Sequence, residues 1–276
     1  MAEPPARPRT PSRDRGGAPL PRAALGRVML TLLLIVIGLA LTLTVGLDRR
    51  DGDGDATAAA GDQRRPLPHA GLPSRAVAAP PDRPRASDEA QLQAWAGEVS
   101  AATGVPARAL AAYGRAEMWL RGERPGCGLS WATLAAIAGV ESEHGSVGGR
   151  RIGADGKLTE PIVGASLDGS AGARRVADTD GGRLDGDREW DRTIGPMRLL
   201  PRTWQRWGGR AIRDGAQADP QNIDDAALAA ARFLCADRRD LATPRGWWDA
   251  VLAYHDSVGY ARDVYRAEEV YAAATR

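Results

Sequence analysis

Glu141 occupies a place where a leucine would be expected. In the stretch 129–145, LSWATLAAIAGVESEHG, the apolar residues Leu134, Ile137 and Ala138 recur at the spacing of one helix face, and Glu141 is the next position on that stripe. Ionising a carboxyl group there requires desolvating it, and the last turn of a helix also disfavours negative charge. Both effects push its pKa upward. A carboxylic acid that keeps its proton near neutral pH can donate it to a leaving oxygen, the first requirement for breaking a glycosidic bond. The same spacing also fits a helix-end glutamate turned to water, and it does not choose between the two.

The elements that must position Glu141 are mostly helical. Leu92, Trp95, Ala96 and Val99 form a stripe ending at Thr103 and Gly104, and Pro106 is placed to open a second helix through Ala109, Ala112, Ala116 and Trp119. The helix bearing Glu141 follows from Ser130. A Gly- and Asp-rich region comes next, where Asp155-Gly156 predicts a hairpin turn and a little β structure. Pro201 opens a short helix holding Trp204 and Trp207, and Ile223, Ala227, Ala230 and Leu234 mark an amphipathic one. Trp247, Trp248, Val251, Leu252 and His255 share a side of the next helix, and Tyr260, Val264, Ala267 and Tyr271 share a side of the last.

The 276 residues are 43% hydrophobic and 26% charged, the balance of a globular protein. The 37 basic and 35 acidic residues nearly cancel to a net charge of +2, which argues against a nucleic-acid partner. Residues 28–47, VMLTLLLIVIGLALTLTVGL, carry no charge and are long enough to span a bilayer as a helix. Six arginines precede them in the tail 1–27, and Asp48, Asp51, Asp53 and Asp55 follow. This asymmetry places the N-terminus in the cytoplasm and everything after Leu47 outside. A cleaved signal peptide is the competing assignment, given the small residues Ala56, Ala58 and Ala60. Residues 48–87 are rich in Pro, Gly, Ala and Arg without apolar periodicity and read as a disordered linker, on the order of 130 Å at full extension. The folded domain is expected over 88–276.

Cys127 and Cys235 are the only cysteines, and both fall in the part expected outside the membrane. An even count in an oxidising compartment predicts one disulfide, the alternative being two buried thiols. Two cysteines without suitably spaced partners do not make a metal site. Asp178, Asp180, Asp185 and Asp187 in DTDGGRLDGD lack the ligand spacing of a calcium loop and read as turn formers.

Taken in order, Val140-Glu141-Ser142-Glu143-His144-Gly145, Asp178-Thr179-Asp180-Gly181-Gly182, Asp191-Arg192-Thr193-Ile194-Gly195-Pro196-Met197, Pro201-Arg202-Thr203-Trp204 and Ala253-Tyr254-His255 with Ser257 and Tyr260 resemble the lytic transglycosylase B family, most closely its actinobacterial branch. The resemblance covers Asp88 to Tyr271. It implies a mainly α, lysozyme-like domain with a small β and loop insertion, which cuts the MurNAc to GlcNAc linkage of peptidoglycan glycan strands without metal or organic cofactor. It also implies Glu141 as catalytic acid; Ser142, Met197, Arg198, Tyr254, His255 and Tyr260 are the expected substrate contacts, with Met197, Tyr254 and Tyr260 as stacking surfaces if the domain only binds glycan. Cys127 and Cys235 match cysteines common in that branch. Two positions depart from the family pattern. Arg198 stands where a glutamine is usual, and His255 where an asparagine is usual, replacing neutral amides by a fixed cation and a titratable ring. A direct Arg198 contact would lower the pKa of Glu141. Two function classes follow: an active membrane-anchored transglycosylase, or hydrolase, using Glu141, and a silent glycan-binding domain.

Overall fold

The computed structural model describes residues 71–80, 88–170 and 174–276, and within them the chain is mainly helical. Seven α-helices occur among the described residues: α1 (Glu89–Thr103), α2 (Ala107–Glu123), α3 (Trp131–Ser142), α4 (Pro201–Trp207), α5 (Ile223–Leu234), α6 (Pro244–Tyr254) and α7 (Val258–Ala274). Between α3 and α4 lies a two-stranded antiparallel sheet, β1 (Val163–Ser166) and β2 (Arg192–Ile194), pairing Val163 with Ile194 and Ser166 with Arg192 across a bulge. The expected turn at Asp155-Gly156 forms, closed by an isolated bridge between Ile152 and Leu158.

Helix starts follow the local chemistry. Ser130, Asn222, Thr243 and Ser257 each accept a backbone N–H of the turn they open, and Pro201 and Pro244 occupy first-turn positions where no N–H is needed. Gly104 ends α1 in the left-handed conformation.

Helix α3 is the centre of the domain. Every residue from Trp131 to Ala138 is buried, so its apolar character is not a one-sided stripe, and α2 and α7 are its main neighbours. Small residues such as Ala132, Ala135 and Ala136 let those neighbours approach closely. Wholly buried carboxylates pin the surrounding helices. Asp224 of α5 pairs with both Arg108 and Arg115 of α2, and Arg115 also reaches Glu89 of α1. Glu268 of α7 accepts from Thr133 Oγ1 of α3 and Trp247 Nε1 of α6, each at 2.9 Å. Glu117 of α2 accepts the Trp131 N–H at the start of α3.

Cys127 and Cys235 are joined, with Cα atoms 5.5 Å apart, tying the approach to α3 to the end of α5. No helix among the described residues is long and apolar enough to cross a membrane, and residues 28–47 lie outside the described residues.

The linker expected over 48–87 is corrected for residues 71–80, which lie against the helices. Ala76 and Ala79 are buried, Trp131 Nε1 donates to the Val77 carbonyl at 2.9 Å, and Ala79 N–H donates to Glu117. Pro73, Ala76 and Ala79 are buried at every third position, which lets this stretch lie against the helices where aperiodic composition signals only a solvated segment.

Candidate active site

Glu141 sits in the last turn of α3, half-buried, beside the exposed Val140. Beyond it the chain turns sharply through three successive residues of positive φ: Glu143 at 52°, His144 at 58° and Gly145 at 85°. For the first two that conformation costs on the order of 1 kcal/mol each, so it persists only where surrounding contacts hold it. Ser142 supplies one hold. Its hydroxyl donates to the Pro196 carbonyl at 2.6 Å and accepts the Gly145 N–H at 2.8 Å. His144 supplies another, its ring set between the phenols of Tyr113 on α2 and Tyr271 on α7 at 3.3 and 3.2 Å.

Opposite the helix end is the turn Gly195 to Arg198. Ile194 and Leu199 close it by exchanging backbone hydrogen bonds of 2.8 and 3.0 Å. Gly195 is required there, because its φ is 74° and a Cβ would collide with the Pro220 carbonyl. The turn is clamped twice. Ser142 holds the Pro196 carbonyl, and the Tyr254 hydroxyl donates to the Met197 carbonyl. The residue following Glu141 is thus bonded directly to the turn that carries Arg198.

Burial raises the Glu141 pKa above the ordinary carboxylate range, opposed by the Tyr260 phenol and by the charge of Arg198. Desolvation outweighs both, so the expected lowering by Arg198 is present without deciding the direction. Tyr260 faces the carboxyl closely enough to favour its ionised form. Its buried Oη nevertheless makes no hydrogen bond of regular geometry among the described residues. The Tyr254 and Tyr260 phenols are themselves held protonated, chiefly by burial and next by the negative charge of Glu141.

The structure gathers Arg198, Tyr254 and Tyr260 around Glu141 and corrects two other expected substrate contacts. Met197 is fully buried and offers no stacking surface, since the clamped turn directs its side chain into the core. Ser142 is buried with its hydroxyl committed to Pro196 and Gly145, so it is a structural pin. His255 is exposed and stacks on Tyr260, with ring centroids 4.5 Å apart and planes 21° from parallel.

The aspartate loop uses its oxygens locally. Asp178 accepts the N–H groups of Gly181 and Gly182, Asp180 that of Leu184, and buried Asp191 both the N–H and hydroxyl of Thr179. Carboxylate oxygens of Asp178, Asp180 and Asp191 come within 4.8 Å of one another, and those backbone donors account for the convergence.

Burial brings the His144 pKa down to about 4. Because the folded value lies below the unfolded one, its contribution to stability is complete above about pH 6.5 and is lost as pH falls toward 4, in total about 3 kcal/mol. Glu268, raised by burial to about 7, acts oppositely and withdraws stability as pH rises from about 4.5 to 7. We expect the stability difference between wild type and His144→Gln to grow by about 2 to 3 kcal/mol from pH 4.5 to 7. Urea unfolding at the two pH values measures it, and a constant difference would contradict the assignment.

Comparisons with protein-family models, with curated proteins and with solved structures return no match for this chain.

Proposed function

We propose that this chain is a peptidoglycan lytic transglycosylase with a lysozyme-like domain, anchored by residues 28–47 with its N-terminus in the cytoplasm and its domain outside. The observation that carries this is the state of Glu141: a half-buried carboxyl group, raised in pKa, at a helix end braced by Ser142 and His144. The groups that act on it are the Tyr260 phenol and the Arg198 guanidinium. Hydrolytic glycosidases ordinarily use two carboxylates. One suffices when the substrate provides its own nucleophile.

Glu141 first donates its proton to the glycosidic oxygen, and the bond from that oxygen to MurNAc C1 breaks. The resulting carboxylate then takes the proton of the MurNAc C6 hydroxyl, whose oxygen bonds to C1 and closes a 1,6-anhydro ring. Glu141 returns to its acid form, and no water is consumed. Burial favours the protonated form of the resting acid, and Tyr260 and Arg198 favour the carboxylate once the proton has left. Holding the C6 hydroxyl near C1 supplies the advantage of proximity.

Digesting purified peptidoglycan and weighing the fragments tests the proposal. Anhydro-ended products support it, reducing ends indicate a hydrolase with the same acid, and intact glycan with retained binding indicates a scaffold.

A further inference from the structure

Arg198 has a feature that the other well-placed arginines of the domain lack. Arg108, Arg115, Arg192 and Arg210 are each set against a carboxylate. The Arg198 guanidinium, half-buried, makes no hydrogen bond or ion pair among the described residues. Its backbone is nevertheless fixed. Its N–H donates to the Gly195 carbonyl at 3.0 Å, its φ is 49°, and the carbonyls of the two preceding residues are held by Ser142 and Tyr254. Met197 and Leu199 on either side are buried, so Arg198 is the side chain this turn presents outward. A rigid, left-handed turn therefore holds a permanent cation close to Glu141 without pairing the two.

Pairing them would be counterproductive. A guanidinium bonded to Glu141 would keep it ionised and remove the proton it needs. The planar fork of donors is left for an anion brought by the ligand, and its geometry matches a carboxylate.

We propose that Arg198 is a carboxylate subsite beside Glu141, selecting glycan that bears an ionised carboxyl group near the bond to be cut. This rests on the glycan-cleaving function proposed above. Two sources share the chemistry: the lactyl ether of a muramic acid whose peptide has been removed, and a carboxylate of an attached stem peptide. The rigid turn and the closeness of Arg198 to Glu141 favour the lactyl group, which is fixed to the sugar ring itself. A free lactyl carboxylate exists only after an amide hydrolysis has detached the peptide, so this enzyme acts downstream of a reaction of that class.

The test uses the full chain in detergent micelles carrying Glu141→Gln, which permits binding without turnover. Its affinity is measured for neutral GlcNAc oligomers, for glycan oligomers with free lactyl carboxylates, and for oligomers retaining stem peptides. We expect the lactyl carboxylate to bind about 10- to 100-fold more tightly than the neutral oligomer. Adding Arg198→Gln should collapse that ratio to near one, whereas Arg198→Lys should keep part of it. If the peptide-bearing oligomer instead shows the preference, and Arg198→Gln removes it, the carboxylate subsite stands with the peptide as its source. Equal affinity for neutral and anionic oligomers, or a ratio unchanged by Arg198→Gln in a variant whose circular dichroism and Tm match the parent, overturns the subsite. Parallel digestion by the wild-type chain separates the two proposals. Anhydro products with an unchanged ratio remove the subsite alone, and absence of cleavage removes the transglycosylase function whatever the ratio.

Discussion

Glu141→Gln is expected to lower glycan cleavage by at least about 10²- to 10⁴-fold, the range supplied by a positioned acid or base, while leaving Tm unchanged or slightly higher. The amide has nearly the shape of the acid but cannot donate the same proton or later accept one. The fold should tolerate it because the helix end is held by Ser142 and His144 and not by Glu141. Removing a desolvated carboxyl also relieves a small destabilisation at neutral pH, since a raised folded pKa means stability is lost as pH climbs past the unfolded value. Counting anhydro-muramyl ends by mass spectrometry, beside thermal unfolding of the same preparations, gives both readouts. A variant that cuts as well as the parent would falsify the role of Glu141. For the wild type, the limb of kcat at high pH should lie above the ordinary carboxylate range.

The largest effect on stability is expected from the disulfide. Replacing both Cys127 and Cys235 by serine releases a cross-link between residues 108 apart, which chain-entropy reasoning rates at about 4 to 5 kcal/mol. For a domain of this size that corresponds to a fall in Tm of roughly 10 to 20 °C. The bond also fastens the approach to α3, so the loss should be felt at the helix carrying Glu141. Guanidinium unfolding of the oxidised parent and the double variant measures the difference. A loss below about 1 kcal/mol would show that the covalent link adds little to what packing already provides.

Most helices were legible because their ends carry local signals. Ser130, Pro106 and Pro201 open helices where capping and proline chemistry place them, and Gly104 closes α1. The cysteine pairing was legible from the count, since two cysteines allow a single bridge. The place of Glu141 near a helix end was legible too, although the argument from a one-sided stripe was incomplete, because α3 is buried on all sides. What stayed hidden depends on distant parts of the chain. Met197 and Ser142 sit inside motifs that look like ligand contacts, yet one is turned inward and the other bonded across 54 residues to Pro196. The buried Asp224 and Glu268 look like ordinary helix-surface acids until their partners on α2, α3 and α6 are in place. His144 likewise acquires its low pKa only between Tyr113 and Tyr271.

The early docking of residues 71–80 shortens the leash. If the anchor ends at Leu47, the chain available between bilayer and domain is residues 48–70, which even fully stretched amounts to roughly 80 Å. On the anchoring and glycan cleavage proposed above, strands farther from the membrane than this tether plus the width of the domain would lie beyond the working radius of Glu141.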